Sequence, residues 1–329
     1  MRIGLAILFF LFSFATRAQH DTSYYESYFN KVTARFYSSN KSTTLVMKNI
    51  DNIYHLSYHP NTTYNLGIGA TYKSITVNLG FGLINPGQER GKTRYLDAQF
   101  HKYGRKLVFD LFGQFYRGYF LTPKGFGNYN GQYYVRPDIE VNELGGSMQY
   151  VFNHKHFSYG ASFLQDEWQK RSAGSFLLGL EIYTGNAVAD SSLFPTAIDK
   201  NVAARNYKRV NFIQLGPSVG YAYTFVFKKH FFLTGAASVG FDVGHMMIKK
   251  NTQSLDVSGL TNTTLFRIAT GYNSRVWSIS LYYITNNVQL AHHPSGEQVQ
   301  LNTNNLRLNF IRRFSPGKKV KKYLKVIEH

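Results

Sequence analysis

Cysteine is absent from the sequence. That excludes a disulfide framework and a lipid-modified N-terminal cysteine. Acidic residues are scarce, 18 against 37 Lys and Arg, and only 8 prolines and two tryptophans occur in 329 residues. No apolar run approaches the roughly 20 residues that a membrane-crossing helix needs. The longest, Ile3 to Phe14, is twelve residues broken by Gly4 and Ser13. It follows the basic Arg2 and precedes the small residues Thr16 and Ala18, which is the pattern of a secretory signal cut after Ala18. Removing residues 1–18 leaves 311 (329 minus 18), and the net charge of +19 becomes +17 without Arg2 and Arg17. An exported chain meets lipid headgroups and surface glycans rather than nucleic acid, so the charge is expected to belong to an envelope protein.

What is abundant is aromatic residue and glycine: 25 Tyr, 27 Phe and 28 Gly. They fall into runs of period two. Tyr64, Leu66, Ile68, Ala70 and Tyr72 alternate with small or polar residues; Ile75, Val77, Leu79, Phe81 and Leu83 repeat the pattern after the tight turn Lys73-Ser74. The alternation returns in Phe157 to Phe163, in Ile213 to Phe227 and in Trp277 to Tyr283. Each run reads as a strand with one apolar and one small or polar face. A soluble sandwich alternates too. Three features favour a membrane: strands of ten or more residues, polar faces of Asn, Gln, Ser, Thr and Gly, and apolar faces that end in Tyr, Phe and Trp. Short turns at 73–74, 103–105, 228–229 and 273–275 coexist with long polar loops at 184–209, 250–262 and 287–301, as on the two rims of an outer-membrane barrel.

The expected fold is therefore all-β, a closed antiparallel transmembrane β-barrel over 19–314, with a basic tail over 315–329. Strands are expected near 32–38, 63–72, 75–83, 93–101, 106–119, 143–153, 156–165, 173–183, 210–227, 231–245, 264–273, 276–286 and 303–314. Single-chain bacterial barrels use even numbers, so these thirteen segments imply about 12 strands, within a range of 10 to 16. The last segment, LRLNFIRRF, ends in the aromatic Phe314, the kind of closing strand that outer-membrane assembly machinery reads. The tail SPGKKVKKYLKVIEH is expected to be solvated.

The blocks YYESYFNKVTARFYSSNK, EWQKRSAGSFLLG and LGPSVGYAYTFVFKKHFFLTG resemble an uncharacterised family of exported Bacteroidota proteins that are expected to form outer-membrane β-barrels. The resemblance implies the compartment and the fold, with no activity, cofactor or catalytic residue attached.

Candidate chemistry is sparse. Gly216-Pro217-Ser218-Val219-Gly220 matches the G-x-S-x-G nucleophile elbow in letters, but it sits inside an alternating strand rather than on a strand-to-helix turn. A barrel-wall hydrolase acting on lipid or lipopolysaccharide acyl chains, with Ser218 and His230 or His245, is kept as an alternative. The pairs His55/His59, His154/His156 and His292/His293 lack the third and fourth ligands of a metal site, and no cofactor fingerprint occurs. Strand parity turns Asp110, Glu181, Asp242 and Arg267 inward, where charges pair, plug or set ion preference. The segment DEWQKR, with Asp166, Glu167, Lys170 and Arg171, is expected to be an exposed rim cluster of mutually facing charges between two strands. Counting strands back from the C-terminus puts it on the periplasmic rim; counting forward without an extra strand puts it outside. The leading functional expectation is a non-enzymatic barrel with a structural, scaffolding or narrow-pore role, whose partners are outer-membrane lipids, lipopolysaccharide and the assembly machinery. A third reading is a binding protein acting through its long loops.

Overall fold

The computed structural model describes residues 20–50, 54–84, 87–127, 130–195, 207–249, 254–291 and 296–317. The expected signal peptide lies outside them, as do His292, His293 and all of the tail beyond residue 317. The strands are β1 (Tyr25–Ser27), β2 (Val32–Ile50), β3 (Tyr54–His59), β4 (Tyr64–Tyr72), β5 (Ile75–Ile84), β6 (Arg94–Tyr103), β7 (Leu107–Thr122), β8 (Tyr134–Val151), β9 (Glu167–Gln169), β10 (Ala173–Val188), β11 (Arg209–Phe227), β12 (Phe231–Lys249), β13 (Ser254–Asn273), β14 (Trp277–Gln289) and β15 (Gln298–Phe314). A short α-helix, α1 (Tyr159–Phe163), lies between β8 and β9.

Twelve strands close an antiparallel ring: β2, β4, β5, β6, β7, β8, β10, β11, β12, β13, β14 and β15, with β15 returning to β2 from Gln298↔Lys48 to Phe314↔Val32. Closure removes the free edges that lipid could not solvate everywhere except between β5 and β6, which share one residue pair. β2 serves two neighbours. Its first half pairs with β4 (Thr33↔Thr71 to Ser39↔Asn65), and its second half pairs with β3, which also reaches β7 through Ser57↔Thr122. The short β4, β5 and β6 are thus bypassed by β3 at one end, and there the ring narrows to ten strands.

The outer face explains the alternation. On β12, Phe231, Leu233, Val239, Phe241 and Val243 are exposed, whereas Phe232, Ala236 and Asp242 are buried inside. From Phe231 to Val243 this apolar stripe covers roughly 30 Å along the barrel axis, taking about 3.4 Å per residue and a tilt near 40°. Lys228 and Lys229 lie below it and His245 above it. Tyr272, Trp277 and Phe310 cluster near the lower edge, where rings can sit at a bilayer interface.

Past this belt the polarity inverts. Inside β13, Leu255 and Val257 replace Thr263 and Arg267, and outside it Ser254, Asp256 and Ser258 replace Phe266 and Ile268. β11 behaves likewise, with Val210 and Phe212 inside and Arg209 and Asn211 outside. The wall leaves lipid there and continues through water around an ordinary apolar core. The expected loop 250–262 is therefore mostly strand, and β8 begins at Tyr134 rather than near 143.

Both described chain ends lie on the rim of the tight turns, here called the turn rim. Lys73-Ser74 is a two-residue turn and Lys228-Lys229 opens a three-residue one closed by His230, with positive φ at each of the four lysine and serine positions (50° and 64°, 47° and 64°), the backbone that joins twisted strands without splaying them. The other rim carries the longer connections apart from 152–172, which joins β8 to β10 on the turn rim. The segment 156–165 is not a strand. It turns into the barrel mouth and forms α1, with the Ser158 side chain accepting from the Ala161 N–H, and β9 then pairs with β1 in a separate two-stranded sheet. Phe157, Tyr159, Phe163 and Leu164 are all buried against inward residues such as Val108, Leu177 and Ala236. Their two-residue spacing reported burial on every side rather than one face of a wall.

Candidate functional site

Between the plug at the turn rim and the apolar core at the loop rim lies a polar chamber. Its centre is Asp110 on β7 and Arg267 on β13. Arg267 donates from Nη2 to Asp110 Oδ2 (2.6 Å) and from Nη1 to the Tyr103 hydroxyl (2.7 Å), which in turn donates to Asp110 Oδ1 (2.8 Å). His101 Nδ1 lies 2.5 Å from the same Oδ1. The guanidinium also lies over Tyr159 and Phe163 of α1, at 5.6 and 5.8 Å from the ring centroids. The central ion pair thus supports the plug from inside the lumen.

Glu181 and Asp242 are inside as well, facing one another across β11. Asp242 accepts from Gln214 (3.0 Å) and Thr263 (2.8 Å). Gly216, on the strand between them, is small by necessity. A Cβ there would lie 2.1 Å from the Phe241 carbonyl and 2.6 Å from Asp242 Oδ1. Gly220 is constrained similarly, with the Ala237 carbonyl 2.5 Å from a hypothetical Cβ. The glycines of the G-x-S-x-G string therefore serve lumen packing. Ser218 is buried and its Oγ has no hydrogen-bond partner. His230 sits at the turn rim against the Asn273 carbonyl, stacked on Trp168. Ser218 pairs with Gly240, ten residues further along β12, roughly 30 Å away at about 3.4 Å per residue. His245 lies on the outer face beside Ser258 and Asp256. Neither histidine can serve Ser218 as a base, which corrects the pairing of Ser218 with His230 or His245.

Six further charged groups that parity reasoning left out enter the lumen. Lys41 pairs with Asp97 at 2.7 Å, and the Tyr116 hydroxyl donates to the same carboxylate. Glu143 is buried with neither carboxylate oxygen hydrogen-bonded. Arg35 donates to the Leu164 carbonyl (3.0 Å) and to Thr71 Oγ1 (2.5 Å); Arg313 donates to the Gln165 and Ser274 carbonyls and to Asn273 Oδ1. Arg307 stacks on Tyr37 (4.4 Å) and Tyr282 (5.7 Å). Parity could have found Asp97, Glu143 and Arg307, which alternate correctly within expected strands. Lys41 was out of reach because β2 was expected to end at residue 38.

The four charges of the connector do not form one exposed cluster. Asp166 is buried under the plug, and burial raises its carboxyl to about 6 against the pull of Arg35 and Arg313. Burial, with repulsion from Asp166, raises Glu167 to about 7, and Ser158 Oγ donates to it. Lys170 instead reaches Glu26 of β1 (4.0 Å), and Arg171 lies over Tyr24 (5.7 Å). The pairing with β1 separates the anions from the cations. The connector lies on the rim of the chain ends, as counting back from the C-terminus requires.

A family model, "Domain of unknown function (DUF4421)", matches residues 19–314. The chain belongs to the DUF4421 family. None of the curated proteins matches it. Solved structures similar to this DUF4421 chain include the outer membrane protease OmpT from Escherichia coli, at 8% identity, covering 88% of this chain and 98% of that one, with a TM-score of 0.41. Vibrio cholerae OmpT, an outer membrane protein, is 10% identical over 86% and 98% of the two chains, with a TM-score of 0.29. The Pseudomonas putida toluene transporter TodX is 9% identical over 88% and 91%, also at 0.29. None of these likenesses bears on the chamber. Among the described residues, no group of three or more His, Asp and Glu converges as a metal site would require.

Proposed function

We propose that this DUF4421 protein is exported into the outer membrane of a Gram-negative envelope of the Bacteroidota type, with turn rim and chain ends in the periplasm, and that it is a barrel closed to through-flow. The plug is the observation that carries this reading. It is held inside the mouth by carbonyl contacts from two wall arginines, Arg35 and Arg313, and by the β1–β9 sheet. At the other end Tyr58, Tyr119, Leu193 and Phe194 fill the narrowed ring, with the Tyr58 hydroxyl donating to the Leu193 carbonyl (2.6 Å). The chamber between retains a cavity of about 80 Å³, space for a handful of waters. A structural or ligand-holding role fits a sealed lumen better than the narrow-pore expectation. The assembly machinery is the proposed reader of Phe314, which faces outward at the turn rim opposite Val32. Planar-bilayer recording of purified protein tests the reading. Membranes should stay silent after insertion, and reproducible unitary steps would overturn the sealed state.

A further inference from the structure

Arg307 is 8% exposed, and its guanidinium forms no hydrogen bond or ion pair among the described residues. Arginine carries five N–H donors and does not lose its charge in proteins, so a buried, unengaged guanidinium has a strong demand for an acceptor. Its surroundings do not supply one. Arg35, Lys41, Arg267 and Arg307 all line the chamber cavity, and Asp110 is the one carboxylate that does so among the described residues. Asp110 matches Arg267, and Asp97 matches Lys41, leaving Arg35 and Arg307 without a carboxylate within ion-pair distance. Arg35 also keeps a buried Nε with no partner. Asp166 lies close enough to Arg35 to answer it electrostatically, so Arg307 is the guanidinium left uncompensated and marks the anion-attracting side of the chamber.

The wall beside this site is open. β5 and β6 are neighbours in the ring but share a single residue pair, Ile75↔Lys102, whereas β4–β5 pair from Tyr64↔Ile84 to Tyr72↔Ile75 and β6–β7 from Arg94↔Arg117 to Tyr103↔Val108. Above Ile75 and Lys102 the two backbone edges face each other unzipped, which within a hydrocarbon layer is costly unless something occupies the gap. Asn78 of β5 and Gln99 and His101 of β6 line the cavity at this seam. Exposed Val77, Leu79, Leu96 and Phe100 flank it on the lipid side. Tyr37, on which Arg307 stacks, packs over the inner surface of β5, its hydroxyl 3.0 Å from where a Cβ on Gly80 would stand. The anion site and the seam are therefore contiguous.

We propose that the β5–β6 seam admits the anionic headgroup of a bilayer amphiphile, a phosphate or carboxylate that binds Arg307 while its acyl chains stay in lipid against the flanking apolar side chains. This rests on the membrane-spanning reading above and adds a ligand class to it.

The natural absence of cysteine allows a direct test. Single cysteines replace Ala98 at the seam or Leu215 on the distant β11 wall and are labelled with a fluorophore. The protein is then placed in phosphatidylcholine bilayers containing a minor fraction of phosphatidylglycerol brominated on its acyl chains. Quenching at residue 98 should exceed that at 215, reflecting a local preference of roughly tenfold, the value of about one charge-assisted contact. Arg307→Met should abolish the difference and Arg307→Lys should retain part of it. Equal quenching at the two positions, indifference to Arg307→Met, or the same enrichment with brominated phosphatidylcholine overturns the proposal. Loss of the enrichment on adding millimolar inorganic phosphate would assign the site to a soluble anion and also overturn it. Heat-modifiable electrophoretic migration, measured on each sample, reports the barrel separately; if wild type lacks it, the membrane-spanning reading fails first and the proposal with it.

Discussion

Replacing Asp110 by alanine should be among the most damaging single changes inside the barrel. Asp110 accepts from Arg267, Tyr103 and His101, and the Arg267 side chain beside it is 6% exposed. Truncation removes all three acceptor contacts and leaves a guanidinium buried without its counter-charge. Breaking a buried pair in this way costs about 3–5 kcal/mol. Asp110→Asn keeps the shape and one acceptor oxygen, so its cost should be about half that, because bonds to a charged acceptor are worth about 1.5–3 kcal/mol against about 1 for a neutral one. The double variant Asp110→Ala/Arg267→Met removes both charges, and a coupling of about 2–3 kcal/mol should separate it from the sum of the single changes. Urea unfolding of the protein in vesicles, followed through Trp168 and Trp277 emission, measures each value. An Asp110→Ala cost below about 1 kcal/mol, or simple additivity, would refute a desolvated central ion pair.

Other perturbations test the plug and its supports. Asp166 and Glu167 have carboxyls raised by burial to about 6 and 7 from ordinary values of 3.8 and 4.5, so the docked plug holds protons that the undocked chain has already released. The proton-linked part of the docking stability is fully present below the ordinary carboxylate range and is lost as pH rises through the raised values; hydrogen exchange of 157–169 should quicken across that window, and Asp166→Asn should flatten the profile. Gly216→Ala should destabilise by about 1–3 kcal/mol, because its Cβ would lie 2.1 Å from the Phe241 backbone carbonyl; a neutral result in the same unfolding assay would mean that β11 and β12 stand further apart there. Arg307→Met should be near neutral in the absence of an anion in the same unfolding assay, since removing a buried charge with no carboxylate partner offsets the loss of its stacking on Tyr37 and Tyr282; a cost above about 2 kcal/mol would mean that the guanidinium is already satisfied.

The sequence exposed the barrel most clearly where one face of a strand met lipid. Phe231, Leu233, Phe241 and Val243 alternate with buried small or polar groups because the bilayer is apolar and the lumen is not. The reading weakened where that contrast vanished. In Ser254 to Ser258 the outer face meets water and the inner face meets the apolar cap, so the parity reverses and the stretch resembled a loop. In 157–165 every residue is buried, and a spacing that looks like a strand carries no information about a face. The charges of the chamber were legible to the extent that their strands were correctly bounded: Asp110, Glu181, Asp242 and Arg267 could be oriented by counting, but Lys41 could not. Their pairing could not be read at all, because Asp110 and Arg267 meet across the barrel from positions 157 residues apart. The same applies to the seam, since nothing local in β5 or β6 shows that their edges fail to zip.

Cysteine accessibility along β11 and β12 tests the sealed transmembrane barrel most directly. Single cysteines at 213, 215, 219, 241 and 243 should report to a bilayer-soluble quencher, and those at 214, 218 and 242 should escape both that quencher and a water-soluble thiol reagent added on either side. Reaction of 214, 218 or 242 with the aqueous reagent would contradict the sealed lumen, and loss of the alternation with the lipid quencher would contradict the barrel.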